Sequence, residues 1–239
     1  MAYKKVFKRS EIKYIITKSQ YLLICGLLKD RMHPDEYGKS VICNLYLDTP
    51  DFLLIRRSIE KPVYKEKLRV RSYGVATNDT PVYLELKKKF KGVVYKRRVG
   101  LLNSQLNDFL DGKDLPCDNK QVEKEIRYAL NFYKDIKPRM FLSYVREAFY
   151  GNDDKDFRIT FDSNVIWRDY DLSLSGGVYG NRLLDEDTYL MEVKTETAIP
   201  MWLSAFLSEH KIFKQSFSKY GTAYTRLMLD KNKKAAVSA

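Results

Sequence analysis

The stretch Lys65-Glu66-Lys67-Leu68-Arg69-Val70-Arg71-Ser72-Tyr73-Gly74 decides how this chain reads. Cationic and apolar side chains alternate along it until a glycine ends the run. Side chains of a strand point to opposite faces in turn, so Lys67, Arg69 and Arg71 share one surface and Leu68 and Val70 the other. Taken singly, the pattern also fits an antiparallel strand with its charges in water. Its repetition along the chain argues for more.

Glu85, Lys87 and Lys89 share a face opposite Leu84 and Leu86, and Lys96 alternates with Arg98. Tyr144 and Arg146 alternate in the same way; Arg158, Thr160 and Asp162 oppose Ile159 and Phe161; Glu192 and Lys194 oppose Met191 and Val193. Near the start, Arg9, Glu11 and Lys13 share a face, with Ile12 on the other.

With 239 residues, 44% of them hydrophobic, the chain can bury a core as one sizeable domain or two small ones. The longest apolar run, Tyr21 to Leu28, is far short of the roughly 20 residues a membrane span needs, and no secretory signal is expected. Three scattered cysteines, Cys25, Cys43 and Cys117, fit neither a disulfide framework nor a zinc knuckle, which favours a reducing cytoplasm. With only His33 and His210, both expected to be structural, histidine-rich zinc chemistry and a Ser-His-Asp triad are disfavoured. The formal charge of +12 points to a polyanion: nucleic acid, a phosphate polymer, a nucleotide or an anionic membrane surface.

In chain order, the first strand precedes an amphipathic helix over Ser19 to Met32 that stops before His33-Pro34. A strand over Val41 to Asp48 leads through Thr49-Pro50-Asp51 to a short helix near Phe52 to Arg57. A meander of strands follows at 63–73, 81–90 and 93–101, with a tight connection at Lys91-Gly92. A short helical piece (Ser104 to Leu110), a loop (Asp111 to Asn119) and a helix (Gln121 to Tyr133) come next. Strands at 138–149, 156–162 and 188–196 precede a helix after Pro200 and a last one capped by Ser218. The basic end, Lys231-Asn232-Lys233-Lys234, reads as a flexible, solvated tail.

The helices must bury their apolar faces, and the apolar sides of the strands are the large partner available. The expected fold is therefore α+β: an antiparallel eight-stranded β-barrel tunnel with helices packed outside and charged rows converging within. Crowded cations in an empty lumen would be costly, so the lumen is built to hold an anion. Glu192, with Glu11 and Glu85, has two roles open to it: pairing with lysines or coordinating a hard divalent metal. A nucleic-acid duplex does not fit inside such a tunnel, so no specific nucleic-acid partner is expected.

Taken together, Glu11-Ile12-Lys13-Tyr14, Lys67 to Gly74, Leu84-Glu85-Leu86-Lys87, Tyr144-Val145-Arg146, Arg158 to Asp162, Met191-Glu192-Val193-Lys194 and Ser218-Lys219-Tyr220 resemble the VTC domain. That family is the polyphosphate polymerase branch of the triphosphate tunnel, or CYTH-like, superfamily. The resemblance covers roughly residues 5 to 229, which implies a single domain over 1–239. It implies an eight-stranded tunnel that binds ATP and inorganic polyphosphate with Mn2+ or Mg2+, transfers the terminal phosphoryl group of ATP to a growing chain, and releases ADP. Carried over by position, Lys13, Arg69, Arg71, Lys87, Arg146, Arg158 and Lys219 would act on the phosphates. Lys67, Lys89, Lys96, Arg98, Tyr144, Lys194 and Ser218 would line the cavity beside them, and Glu192, Glu11 and Glu85 are the metal-ligand candidates. A membrane-associated partner protein is compatible with this reading. One departure stands out: hydrolytic relatives begin with two glutamates and a lysine at alternating positions, and here the first of these is Arg9. That weakens a metal-activated water as nucleophile. Two alternatives stay open, a metal-dependent tripolyphosphatase or nucleoside triphosphatase and a non-catalytic polyphosphate-binding module. No GxxxxGK loop is present, so side chains must grip the phosphates.

Overall fold

The structure, a computed structural model, describes residues 10–114, 119–196 and 198–237. Arg9 and Cys117 lie outside the described residues. Two compact units result: residues 1–40, 144–165 and 184–217 form the first, and residues 41–143, 166–183 and 218–239 the second.

In the first unit, β1 (Ser10–Thr17) runs directly into α1 (Lys18–Leu28). The junction is a capping box in which the Gln20 amide donates to Thr17 Oγ1 and the Thr17 amide to Gln20 Oε1. The helix stops four residues earlier than its periodicity predicts. Met32, the expected last turn, instead opens the short strand β2 (Met32–Pro34), which pairs with the end of β7 (Lys137–Gly151). β1 pairs antiparallel with β10 (Thr188–Thr195), and β10 with β8 (Arg158–Arg168). Tyr14, Ile16, Ile159, Phe161, Met191 and Val193 form the apolar side of this sheet, packed with Ile24 and Leu28 of α1 and Leu203 and Phe206 of α5 (Met201–Glu209).

The second unit is the meander. β3 (Ser40–Asp48), β4 (Tyr64–Tyr73), β5 (Pro81–Phe90) and β6 (Val93–Leu102) pair in that order, all antiparallel. Phe90 pairs with Val93 across a two-residue turn with both central residues at positive φ, Lys91 at 46° and Gly92 at 86°. That left-handed pair matches the twist of the flanking strands, and glycine adopts it without strain. Leu45, Leu68, Val70, Leu84, Leu86 and Val99 form the apolar side. Over them lie Leu106 and Phe109 of α3 (Leu106–Leu110) and Ile126 and Ala129 of α4 (Lys120–Phe132).

The alternation seen in the sequence is thus realised in both units, and the α+β class holds. The strands form a ten-membered antiparallel sheet whose path of pairings begins at β1 and ends at β6, with β2 and β9 (Asn181–Arg182) as short additions. On β1, the Gln215 amide donates to the Lys13 carbonyl at 2.8 Å. On β6, Arg97 pairs with Glu125 of α4 at 2.7 Å.

Two buried polar groups hold irregular backbone in the second unit. Arg168, fully buried, donates to the carbonyls of Asp171, Ser173, Gly177 and Tyr179. Its guanidinium lies 3.7 Å from the Phe141 ring centroid and 4.2 Å from that of Tyr179, fixing the glycine-rich stretch that no periodicity could place. Asp48, also fully buried, accepts the amides of Thr49, Leu54 and Ile55 at the start of α2 (Leu53–Ile59) and the hydroxyl of Tyr220. Tyr220 belongs to α6 (Lys219–Val237), which continues as helix through the basic segment expected to be a loose tail. Replacing Asp48 by alanine strands several buried donors at once. Urea unfolding of Asp48→Ala is expected to show a loss of about 2–4 kcal/mol.

Candidate functional site

In the second unit the cationic residues of β4, β5 and β6 stand in cross-strand rows. Lys65 is opposite Lys89; Lys67 is opposite Lys87, which is opposite Lys96. Like charges directly opposite one another destabilise a sheet. Their crowding is visible at Lys65, whose pKa is lowered by burial and then by Lys89, Lys61 and Lys87.

The next row is held by one carboxylate. Glu85 lies between Arg69 and Arg98 in register, and its side chain is 2% exposed. Arg69 reaches it with Nε at 2.9 Å and Nη2 at 2.8 Å, Lys96 at 2.7 Å and Arg98 at 3.6 Å. Burial works against the charge of Glu85, but Arg69, Arg71 and Lys96 outweigh it and hold the pKa at about 2.

β3 contributes the polar partners. Arg71 donates to Asn44 Oδ1 at 3.1 Å while the Asn44 amide nitrogen donates to the Leu142 carbonyl, so the side chain is fixed at both ends. Arg69 Nη1 donates to the Tyr46 hydroxyl at 3.3 Å, and the Tyr46 ring stacks on Tyr220 at 4.3 Å. Where α6 begins, Ser218 Oγ accepts the Gly221 amide at 3.1 Å, the cap that the sequence predicts, and accepts Lys67 Nζ at 2.9 Å. Lys219 follows as the first helical residue, so the positive end of the helix adds to the same field.

The first unit carries its own charged cluster. Register sets Lys13 opposite Glu192, Glu11 opposite Lys194, Glu192 opposite Thr160 and Lys194 opposite Arg158. Lys13 Nζ lies 3.2 Å from Glu11, 3.5 Å from Glu192 and 3.1 Å from the Phe217 carbonyl. Arg146 forks onto the buried Asp162 with bonds of 2.6 and 2.7 Å, reaches Glu192 at 3.6 Å and lies over the Tyr144 ring at 5.1 Å. Arg158 lies 3.5 Å from Asp35 and over the Tyr150 ring at 4.6 Å. Lys194 approaches Glu192 at 3.7 Å. Burial lowers its pKa, Glu192 works against that and Arg146 with it, leaving it at about 8.

The expected site residues therefore fall into two groups. Glu11, Lys13, Tyr144, Arg146, Arg158, Glu192 and Lys194 belong to the first unit; Lys67, Arg69, Arg71, Glu85, Lys87, Lys89, Lys96, Arg98, Ser218 and Lys219 belong to the second. The expected metal trio is divided in the same way. Glu85 is the counter-ion of arginines and a lysine, and no three Asp, Glu, His or Cys side chains gather as a metal site among the described residues. Glu11 and Glu192 do converge on one cation, the Lys13 ammonium. A magnesium-type ion takes one or two carboxylates and completes its shell with water and phosphate, so this pair suits one. His33 pairs with Asn152 and His210 lies against Phe206.

The model of the VTC domain matches residues 8–228, across both units. The chain belongs to the VTC domain family. No curated protein matches it. Among solved structures, a putative adenylyl cyclase from Hippeastrum with a dominant triphosphatase activity shares its fold at TM-score 0.53 and 16% identity, over 90% of this VTC chain and 94% of that one. A putative adenylate cyclase from Vibrio parahaemolyticus aligns at TM-score 0.48 and 10% identity, over 92% and 99%. No helix among the described residues of this VTC chain is long and apolar enough to cross a membrane.

Sequence reasoning passed over Asn44, Tyr46 and Asp162 as ligand-positioning groups. Each stood on the polar side of an alternating strand, which is the signal that would have found them. Asp48 stood on the same polar side, but its link to Tyr220 of α6, far along the chain, carried no signal.

The pKa of Glu85 in the fold, about 2, lies below its ordinary 4.5. Its contribution, about 3 kcal/mol, is complete above pH ~4.5 and is lost as the pH falls from there towards 2. Glu85→Gln is expected to flatten that part of the stability-against-pH curve measured by urea unfolding; an unchanged slope would remove the carboxylate from this role.

Proposed function

We propose that the chain is an ATP-dependent polyphosphate polymerase, which transfers the γ-phosphoryl group of ATP to the end of a growing polyphosphate chain and releases ADP. The observation that carries this reading is the row Lys67, Lys87 and Lys96, side by side on three adjacent strands. A sheet that sets cations opposite one another is relieved by a bound polyanion.

The chemistry asks little of a protein nucleophile. The terminal oxygen of the acceptor chain is already anionic; it forms a bond to the γ-phosphorus as the bond from that phosphorus to the β-bridging oxygen breaks, and ADP leaves with the charge. The obstacle is repulsion and alignment, met by arginine forks and lysines fixed beforehand. Arg69, held by Glu85 and Tyr46, and Arg71, held by Asn44, are positioned in this way in the second unit. Arg146, on Asp162, is their counterpart in the first. Mn2+ or Mg2+ bound at Glu11 and Glu192 would neutralise phosphate oxygens. The free thiols of Cys25 and Cys43 fit a cytoplasmic setting.

A second reading, hydrolysis of tripolyphosphate or nucleoside triphosphates, is supported by the Glu11 and Glu192 pair and by the triphosphatase activity of the Hippeastrum protein. Incubating purified protein with ATP and Mn2+ separates the readings. ADP with long polyphosphate is the expected product; orthophosphate alone would establish hydrolysis, and tight binding without turnover across several metals would establish a binding module.

Lys194 sets a pH dependence. It is charged below about pH 8 and loses its proton above it, so polyphosphate affinity measured by calorimetry is expected to fall several-fold as the pH rises from 7 to 9. Lys194→Met is expected to lose that step.

A further inference from the structure

Beside the lysine row, the second unit carries a surface of different chemistry. Arg98 lies flat on the Tyr83 ring, its guanidinium carbon 3.6 Å from the ring centroid, and 5.8 Å from that of Tyr73. Nη2 donates to the Tyr73 hydroxyl at 3.2 Å, and Nε lies 3.6 Å from Glu85 Oε1. The Tyr83 ring lies over Gly100, its partner in register, where a Cβ would stand 3.6 Å from the ring. The guanidinium is thus held from three directions and still classed among the exposed side chains. Its approach to the ring is closer than that of Arg146 to Tyr144 or of Arg158 to Tyr150.

Lys96 is two residues along the same strand, about 6.8 Å away at the usual rise, and it leads to Lys87 and Lys67. A flat, cationic, aromatic-backed plane therefore adjoins a line of ammonium groups. We propose that Arg98 on Tyr83 is a stacking platform for the base of a nucleotide whose phosphates lie along the lysine row. The inference rests on the reading that this face binds a nucleoside triphosphate, and it adds how a nucleotide is told from an inorganic chain of the same length. Bases stack on arginine planes and aromatic faces with a gain of about 1–3 kcal/mol each and little dependence on base identity. Adenine and guanine nucleotides are therefore expected to bind with similar affinity, and each better than tripolyphosphate.

The test is a pair of dissociation constants, measured by calorimetry without turnover, for the β,γ-imido analogue of ATP and for inorganic tripolyphosphate. Arg98→Lys keeps the charge and removes the plane; Tyr83→Leu keeps Arg98 and removes its bed. Each is expected to raise the ratio of the nucleotide constant to the tripolyphosphate constant about tenfold. Circular dichroism and thermal melting establish that both variants are folded, and the ratio cancels any loss common to both ligands. An unchanged ratio overturns the platform and leaves Arg98 a phosphate contact. The product assay is independent: a wild-type protein that makes polyphosphate while both variants keep the ratio defeats this inference alone. One that makes none, yet shows the shifted ratio in both variants, defeats the polymerase reading alone.

Discussion

Glu85 sets the terms for the rest of the second unit. It is a buried carboxylate approached by Arg69, Lys96 and Arg98, and its ionised state depends on the cations around it. Removing either side would leave charge uncompensated at low exposure, which is far costlier than the pair is favourable. The strands can carry their basic rows because this anion stands in the row next to the lysines. Lys67 and Lys87 lie one row further on, where a cation faces a cation across the strands. The fold thus compensates Arg69, Arg98 and Lys96 through Glu85 and sets Lys67 opposite Lys87 in a row suited to an anion.

Positioning by polar side chains recurs throughout. Asn44 fixes Arg71, Tyr46 and Glu85 fix Arg69, Asp162 fixes Arg146, and Tyr83 with Tyr73 fixes Arg98. An arginine held in this way loses little rotamer freedom when a phosphate arrives, so more of the interaction is available for binding and for the transition state. Asp48 and Ser218 do the same for backbone. Asp48 gathers the start of α2 and, through Tyr220, the start of α6, while Ser218 caps α6 and accepts from Lys67.

The alternating strands were legible because a period of two is a local property: the side of the sheet on which Lys67, Arg69 and Arg71 stand follows from their spacing alone. The meander and its Lys91-Gly92 turn were legible for the same reason, since a two-residue turn fixes the register of its strands. Other elements were not. Met32 carries an apolar side chain at helical spacing and so reads as the end of α1, yet pairing with Gly151, far along the chain, takes it into a strand. The basic segment at 231–234 reads as a loose tail, yet it continues a helix already anchored at Tyr220. Arg168 carried no signal in the sequence and is a fully buried clamp for the carbonyls of Gly177 and Tyr179.

By itself the sequence determined which side chains share a face and that one face is cationic and the other apolar, because alternation, composition and charge are carried by neighbours in the chain. Tertiary structure alone decided the order in which the strands pair, β1-β10-β8-β7-β3-β4-β5-β6, with β2 and β9 as additions. It also decided that Glu85 is a counter-ion whereas Glu11 and Glu192 converge on a single cation. A carboxylate takes its role from the charges packed around it, and those come from residues that only folding brings together.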